Sequence, residues 1–218
     1  MTPRAAAFFD VDKTLVRVNT GQLYMRFRMR KRQAGPREVL RFTRWMTQYS
    51  LGIVDIREVT TKALEAMRGV EESRFRDEMH AWYEAYVRRH VSLEGRREVV
   101  RRRAAGAIPV ILSASTPYAV EPLAEDLGIE HVLCTTLEVR DGKFTGRTDR
   151  LCYGEDKVHL AEEWARAHGV DLAASSFYTD SVSDVPMLER VGEPRVVNPD
   201  PRLRVRAAAR RWPVERWR

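Results

Sequence analysis

Residues 8–15 read FFDVDKTL. Two aspartates, Asp10 and Asp12, stand one residue apart behind the apolar run Ala5-Ala6-Ala7-Phe8-Phe9, and Thr14 follows closely. Such a run has the length and bulk of a strand buried in a core. Two carboxylates about 4 Å apart at an effective dielectric near 20 repel by roughly 4 kcal/mol. That repulsion lifts one of the two pKa values by about three units. A chain ends a core strand this way where a cation sits between the acids or where chemistry needs them. Taken alone, the stretch reads more plainly as a turn whose aspartate caps the next helix. The rest of the chain decides.

Beyond Thr14 the pattern changes. From about Thr20 to Val91 helical spacing prevails, with Val39, Phe42, Met46 and Tyr49 on one face and Arg37, Arg41, Arg44 and Gln48 on the other. Gly35-Pro36 parts this helix from the one before it. Further helices are expected over 56–67 and 72–89, giving an inserted bundle of about seventy residues. From Ser92 onward helix and strand alternate. A helix over 96–105 stops at Gly106, a strand covers 109–112, and Thr116-Pro117 opens a helix that ends before Gly128. Segments 131–139 and 143–148 flank Asp141-Gly142, a hairpin signal. A helix over 155–168, a strand over 176–179, a helix around 184–190, a strand at 195–197 and a basic helix complete the chain. This alternation predicts an α/β fold with a mostly parallel sheet, ligands at the strands' carboxyl ends, and the insertion above them as a lid.

A chain of 218 residues and 44% hydrophobic content buries a real core and is not disordered. Its longest nearly apolar stretch, 104–112, is too short to cross a bilayer. Asp10 ends the first apolar run too early for a signal peptide. A cytoplasmic protein is therefore expected, and in that reducing compartment Cys134 and Cys152, which lack metal-ligand spacing, are expected as free thiols. The net charge is +7, and eight Lys/Arg against the single acid Glu38 lie between Gly21 and Ser50, so the remainder balances. Such a region attracts anions: a phosphorylated metabolite, nucleic acid or lipid headgroups. No nucleic-acid motif accompanies the charge. We therefore expect no specific nucleic-acid partner, no membrane insertion, and a monomer or homodimer.

Three expected strands end in polar groups of matching chemistry: Asp10 with Asp12, Ser113 followed by Ala114, and Asp180 with Asp184. Lys157 falls in a helix's first turn, the end that disfavours a cation. Acids for a divalent ion, a hydroxyl and an ammonium then meet at one sheet edge, the inventory of phosphoryl transfer.

These motifs resemble the haloacid dehalogenase (HAD) superfamily hydrolases, in particular the phosphoserine-phosphatase-like subfamily IB. Asp10-Val-Asp12-Lys-Thr14 matches the first motif, Ile111-Leu-Ser113 the second, Lys157 the third, and Asp180-Ser-Val-Ser-Asp184 the fourth. Four ordered motifs are a far stronger signal than DxDxT alone. The resemblance implies a Rossmann-like three-layer core from 1–16 and 92–218, with a C1-type helical cap from 17–91. It implies a Mg²⁺-dependent phosphatase in which Asp10 is the nucleophile and Asp12 the acid/base. Asp10, Asp12, Asp180 and Asp184 would hold or support the metal, while Thr14, Ser113, Ala114 and Lys157 serve the phosphoryl group. The sequence departs from phosphoserine-specific members at Ser113-Ala114-Ser115, at Ser183, and at Asn19, which stands where their cap glutamate receives the substrate's amino group. A small phosphorylated metabolite is therefore the expected substrate. Phosphoserine, a lipid-type phosphate or a mutase reaction are alternatives, and a non-catalytic basic binding protein is a remote one.

Overall fold

The computed structural model describes residues 4–50, 61 and 63–218, with only the backbone for 42 and 45–50. Its centre is a six-stranded sheet of β1 (Ala6–Phe9), β2 (Ile108–Ser113), β3 (His131–Cys134), β6 (Ser176–Thr179), β7 (Glu193–Val197) and β8 (Val214–Glu215). Their order is β3-β2-β1-β6-β7-β8, and every neighbouring pair is parallel. Side chains alternate across a strand, so β1 feeds two cores. Ala7 and Phe9 join one apolar cluster, Ala6 and Phe8 the other. Phe9 stacks on Tyr178 at 4.7 Å, and Phe8 meets Trp164 edge-on at 5.7 Å. Burial on both faces is why this strand is an unbroken apolar run.

Helices cover both faces. α4 (Leu93–Ala104) and α5 (Pro117–Leu127) contribute Val99, Leu123 and Leu127 to the Phe9 side. α6 (Glu155–His168), α7 (Val185–Arg190) and α8 (Pro201–Arg210) contribute Trp164, Leu188 and Leu203 to the Phe8 side. This is the three-layer, Rossmann-like arrangement expected.

The chain leaves the sheet edge after Val16 and returns at Val91, and an antiparallel bridge joins those two residues. Ser92 N–H donates to Leu15 O (2.8 Å) and Arg17 N–H to His90 O (2.9 Å), so the two connections run side by side. Between them lie α1 (Thr20–Arg30), α2 (Pro36–Ser50) and α3 (Glu72–Trp82). Tyr24 packs against Phe27, Phe75 and Trp82 at 5.7–6.4 Å. α3 docks on α5: Arg76 pairs with Glu121, Tyr118 Oη donates to Glu72 (3.0 Å), and Tyr83 Oη donates to Asp126 (2.8 Å).

Several expected boundaries move. The helix expected over 72–89 stays α-helical only to Trp82; a π-helical turn (Tyr83–Val87) and a 3-10 turn (Arg88–His90) follow. In that stretch Tyr83 reaches Asp126 while Tyr86 packs on Phe27 at 5.4 Å. α4 begins a turn earlier than expected because Ser92 Oγ accepts from Gly95 N–H (3.1 Å). The single strand expected over 131–139 is two. β3 ends in the parallel sheet, and β4 (Thr136–Arg140) pairs antiparallel with β5 (Lys143–Arg150). Thr135 makes the break: its N–H donates to Ser115 O (2.9 Å) and its hydroxyl to Ala114 O (2.9 Å). The hairpin turn at Asp141-Gly142 takes positive φ at both residues, 50° and 70°. The helix expected over 56–67 lies mostly outside the described residues, as do the side chains of Phe42, Met46 and Tyr49.

Candidate active site

Asp10 follows β1 directly, and its N–H donates to Tyr178 O (2.9 Å), which holds it in register with the sheet. The loop then closes on itself, with Thr14 N–H on Val11 O (3.3 Å) and Val16 N–H on Val11 O (2.8 Å). Lys157, in the first turn of α6, carries its buried ammonium to this edge. Nζ lies 2.8 Å from Asp10 Oδ1 and 2.8 Å from Asp184 Oδ2. Thr179 Oγ1 donates to the same Asp184 oxygen (2.6 Å). Burial works against the Lys157 charge, but the two carboxylates outweigh it and hold the ammonium protonated above its ordinary range.

The aspartates lie the other way. Burial pushes Asp10 up to about 7, with Lys157 opposing and Asp184 adding. Burial, then the Asp10 charge, pushes Asp180 up to about 8 against the pull of Lys13, whose Nζ is 3.5 Å from Asp180 Oδ2. Asp12 is raised by burial and opposed by its bonds from Thr20. Its carboxylate accepts from Thr20 N–H (2.9 Å), Thr20 Oγ1 (2.6 Å) and Asn19 Nδ2 (2.7 Å). Asn19 itself is the N-cap of α1, with Oδ1 accepting from Gln22 N–H (3.0 Å). The cap expected of an aspartate is made by Asn19 instead, while Asp12 accepts from the first helical N–H, that of Thr20, and Asp10 lies in a buried charged cluster with Lys157 and Asp184.

Ser113 ends β2, with Oγ accepting from Ser115 N–H (3.2 Å), and Ala114 follows it at the same edge. Thr14 Oγ1 and Asp184 Oδ1 are buried without a hydrogen-bond partner among the described residues. Asn19 spends both ends of its amide on the helix cap and Asp12.

Among the described residues no three His, Cys, Asp or Glu side chains gather as a metal cluster. Asp12 faces α1 and Asp184 faces Lys157, so the four aspartates do not form a cage of side chains. The Asp10 and Asp180 carboxylates remain, close enough that the Asp10 charge raises Asp180, and Asp184 keeps an unsatisfied oxygen. Hard oxygen donors with surplus negative charge suit a cation such as Mg²⁺, which takes one or two carboxylates.

Some contributors escaped the sequence reading. Asp200 caps α8 and accepts from Val182 N–H (2.7 Å), while its own N–H donates to Asp180 O (2.8 Å). Its place before Pro201 was a legible cap signal; its brace on the Asp180 loop was not. Thr20 and Thr179 hold aspartates through hydroxyls that no spacing rule marks.

The model of haloacid dehalogenase-like hydrolases matches residues 7–189. A probable phosphatase of Mycobacterium tuberculosis (strain ATCC 25618 / H37Rv) is 32% identical, over 97% of this chain and 75% of its own length. A phosphoserine phosphatase of the same organism is 32% identical, over 98% of this chain and 71% of its own. The crystal structure of a Bordetella pertussis Tohama I protein of unknown function superposes with a TM-score of 0.84 at 30% identity, covering 98% of this chain and 99% of the other. Sheet order, motif geometry and these likenesses agree: the chain belongs to the haloacid dehalogenase-like hydrolase family, among its phosphatases.

Proposed function

We propose that the protein is a Mg²⁺-dependent phosphatase of a small soluble phosphomonoester, working through a phosphoryl group carried on Asp10. The observation that carries this reading is Lys157, buried and bonded at 2.8 Å to both Asp10 and Asp184, beside Asp180. Residues 1–16 and 92–218 serve as the catalytic core and 17–91 as its cap. The buried free thiols Cys134 and Cys152 suit a reducing compartment such as the cytoplasm.

The Asp10 carboxylate attacks phosphorus and displaces the alcohol oxygen, which takes a proton from Asp12. Asp12 then accepts a proton from water attacking the acyl-phosphate, and phosphate leaves with Asp10 restored. Burial raises the Asp12 pKa, which favours a residue that must carry a proton and give it up. Lys157 holds Asp10 in line and, with Ser113, the Ala114 backbone and the Thr14 turn, receives the phosphoryl oxygens. Mg²⁺, held by the Asp10 and Asp180 carboxylates and the Asp12 carbonyl with Asp184 in support, would supply Lewis-acid charge neutralisation.

Asn19 bears on the substrate. Its amide is neutral and already bonded to Asp12 and Gln22, so it offers no charge to a substrate ammonium. Losing such a charge-assisted contact costs about 1.5–3 kcal/mol, one to two orders of magnitude in specificity. Phosphoserine should then trail phosphoglycolate or glycerol phosphate in kcat/KM. The second reading, a phosphoserine phosphatase proper, is favoured by the relative of that name at 32% identity. The cap acids Asp55 and Glu58, which could supply the charge, lie outside the described residues. Measuring kcat/KM across those esters with Mg²⁺ separates the two: a lead of about a hundredfold for phosphoserine, a gap near 3 kcal/mol, establishes the second.

A further inference from the structure

The mechanism leaves Lys13 unused, although it stands between Asp12 and Thr14. Its backbone lies in the left-handed region at φ 52°, which non-glycine residues adopt rarely and where strain marks a functional demand. The conformation is held from outside the loop. Asn198 Nδ2 donates to Lys13 O (2.9 Å) and to Trp217 O (3.0 Å), while Asn198 Oδ1 accepts from Trp217 N–H (3.1 Å). So held, Lys13 brings Nζ to 3.5 Å from Asp180 Oδ2. The two side chains differ in access: that of Lys13 is 50% exposed, that of Asp180 9%. A carboxylate this buried needs a counter-charge. Lys157 is committed to Asp10 and Asp184. Lys13 is thus a solvent-side cation resting on a carboxylate that a divalent ion would also claim.

We propose that Lys13 is an exchangeable placeholder: it rests against Asp180 as the cation available whenever that carboxylate ionises without a divalent ion, and it yields the carboxylate, swinging toward solvent, when a divalent cation is taken up. Metal affinity is then set by competition between Lys13 and the ion. This inference rests on the reading of Asp180 as a metal ligand.

The test is titration calorimetry of the full, chelator-stripped protein with Mg²⁺, for wild type, Lys13→Met, Lys13→Gln, Lys13→Arg and Asp180→Asn. Removing a partly exposed ion pair of this kind shifts a competing equilibrium by up to about fivefold. Lys13→Met and Lys13→Gln should therefore bind Mg²⁺ about threefold to fivefold more tightly, while Lys13→Arg stays within about twofold of wild type. The metal-free Lys13→Met protein should also melt below wild type and recover in saturating Mg²⁺. Unchanged or weaker Mg²⁺ binding by both neutral variants, with wild type binding and Asp180→Asn not, overturns the placeholder and leaves the metal site standing. No Mg²⁺ binding by wild type removes the metal reading and this inference together.

Discussion

At the scale of single residues, the site stores electrostatic cost in the metal-free protein. Asp180 titrates near 8 when folded against 3.8 as a free side chain, because burial and Asp10 disfavour its charge. The folded state then holds a proton that the unfolded chain releases, so this group's contribution falls as pH rises from about 4 to about 8. Asp180→Asn removes the cost. In chelator at pH 8 the variant should be more stable than wild type by about 2 kcal/mol or more, and the gap should close toward pH 5. Mg²⁺ should stabilise wild type at pH 8 and leave the variant unmoved. Urea denaturation at both pH values checks this; a variant less stable than wild type in chelator at pH 8 would contradict it. That Asp10, Asp12 and Lys157 meet at one edge was legible in the sequence, because charged side chains just after a core strand and in a helix's first turn stand out against local preference. The supports were not. Thr20, Thr179 and Asn198 act through hydroxyl or amide bonds, that of Asn198 to Lys13 spanning 185 positions, and no local pattern encodes such a contact.

At the scale of elements, what the sequence shows depends on period and punctuation. α6 and β6 lie where spacing and the glycine stop after His168 put them, because both are governed by local rules. The division of 131–139 into β3 and β4 was hidden, since the turn is enforced by bonds from Thr135 to the loop after β2. β8 is two residues long, too short for any alternation to register, and exists because β7 offers it an edge. A glycine shows the same dependence on distant backbone. A Cβ on Gly192 would stand 1.8 Å from Ala173 O and 2.8 Å from its carbonyl carbon, and neither atom can yield without moving the segment that leads into β6. Gly192→Ala should cost about 2 kcal/mol or more through overpacking, a fall of about 4–8 °C in melting temperature. Differential scanning calorimetry checks it, and a melting temperature equal to wild type would show that the two loops separate freely.

At the scale of the whole molecule, a parallel sheet delivers Asp10, Ser113 and Asp180 to one edge, and the insertion brings Thr20 and Asn19 over it to hold Asp12. The inserted segment is also bonded to α5 away from that edge, through Tyr83 and Asp126 and through Arg76 and Glu121. The core's architecture was legible because alternating helix and strand admits few parallel topologies. The docking of the inserted segment was not, because it depends on an ion pair and tyrosine hydrogen bonds between surfaces that sequence spacing does not relate. The central claim is that Asp10 carries the phosphoryl group. The most direct test is a single turnover of a radiolabelled phosphomonoester by the Asp12→Asn variant with Mg²⁺, quenched in acid and mapped by peptide. Loss of the acid/base should slow the second displacement, so label is predicted on the peptide that contains Asp10. Label on another residue, or active wild type and an Asp12→Asn variant that releases phosphate without ever carrying label, would contradict the account.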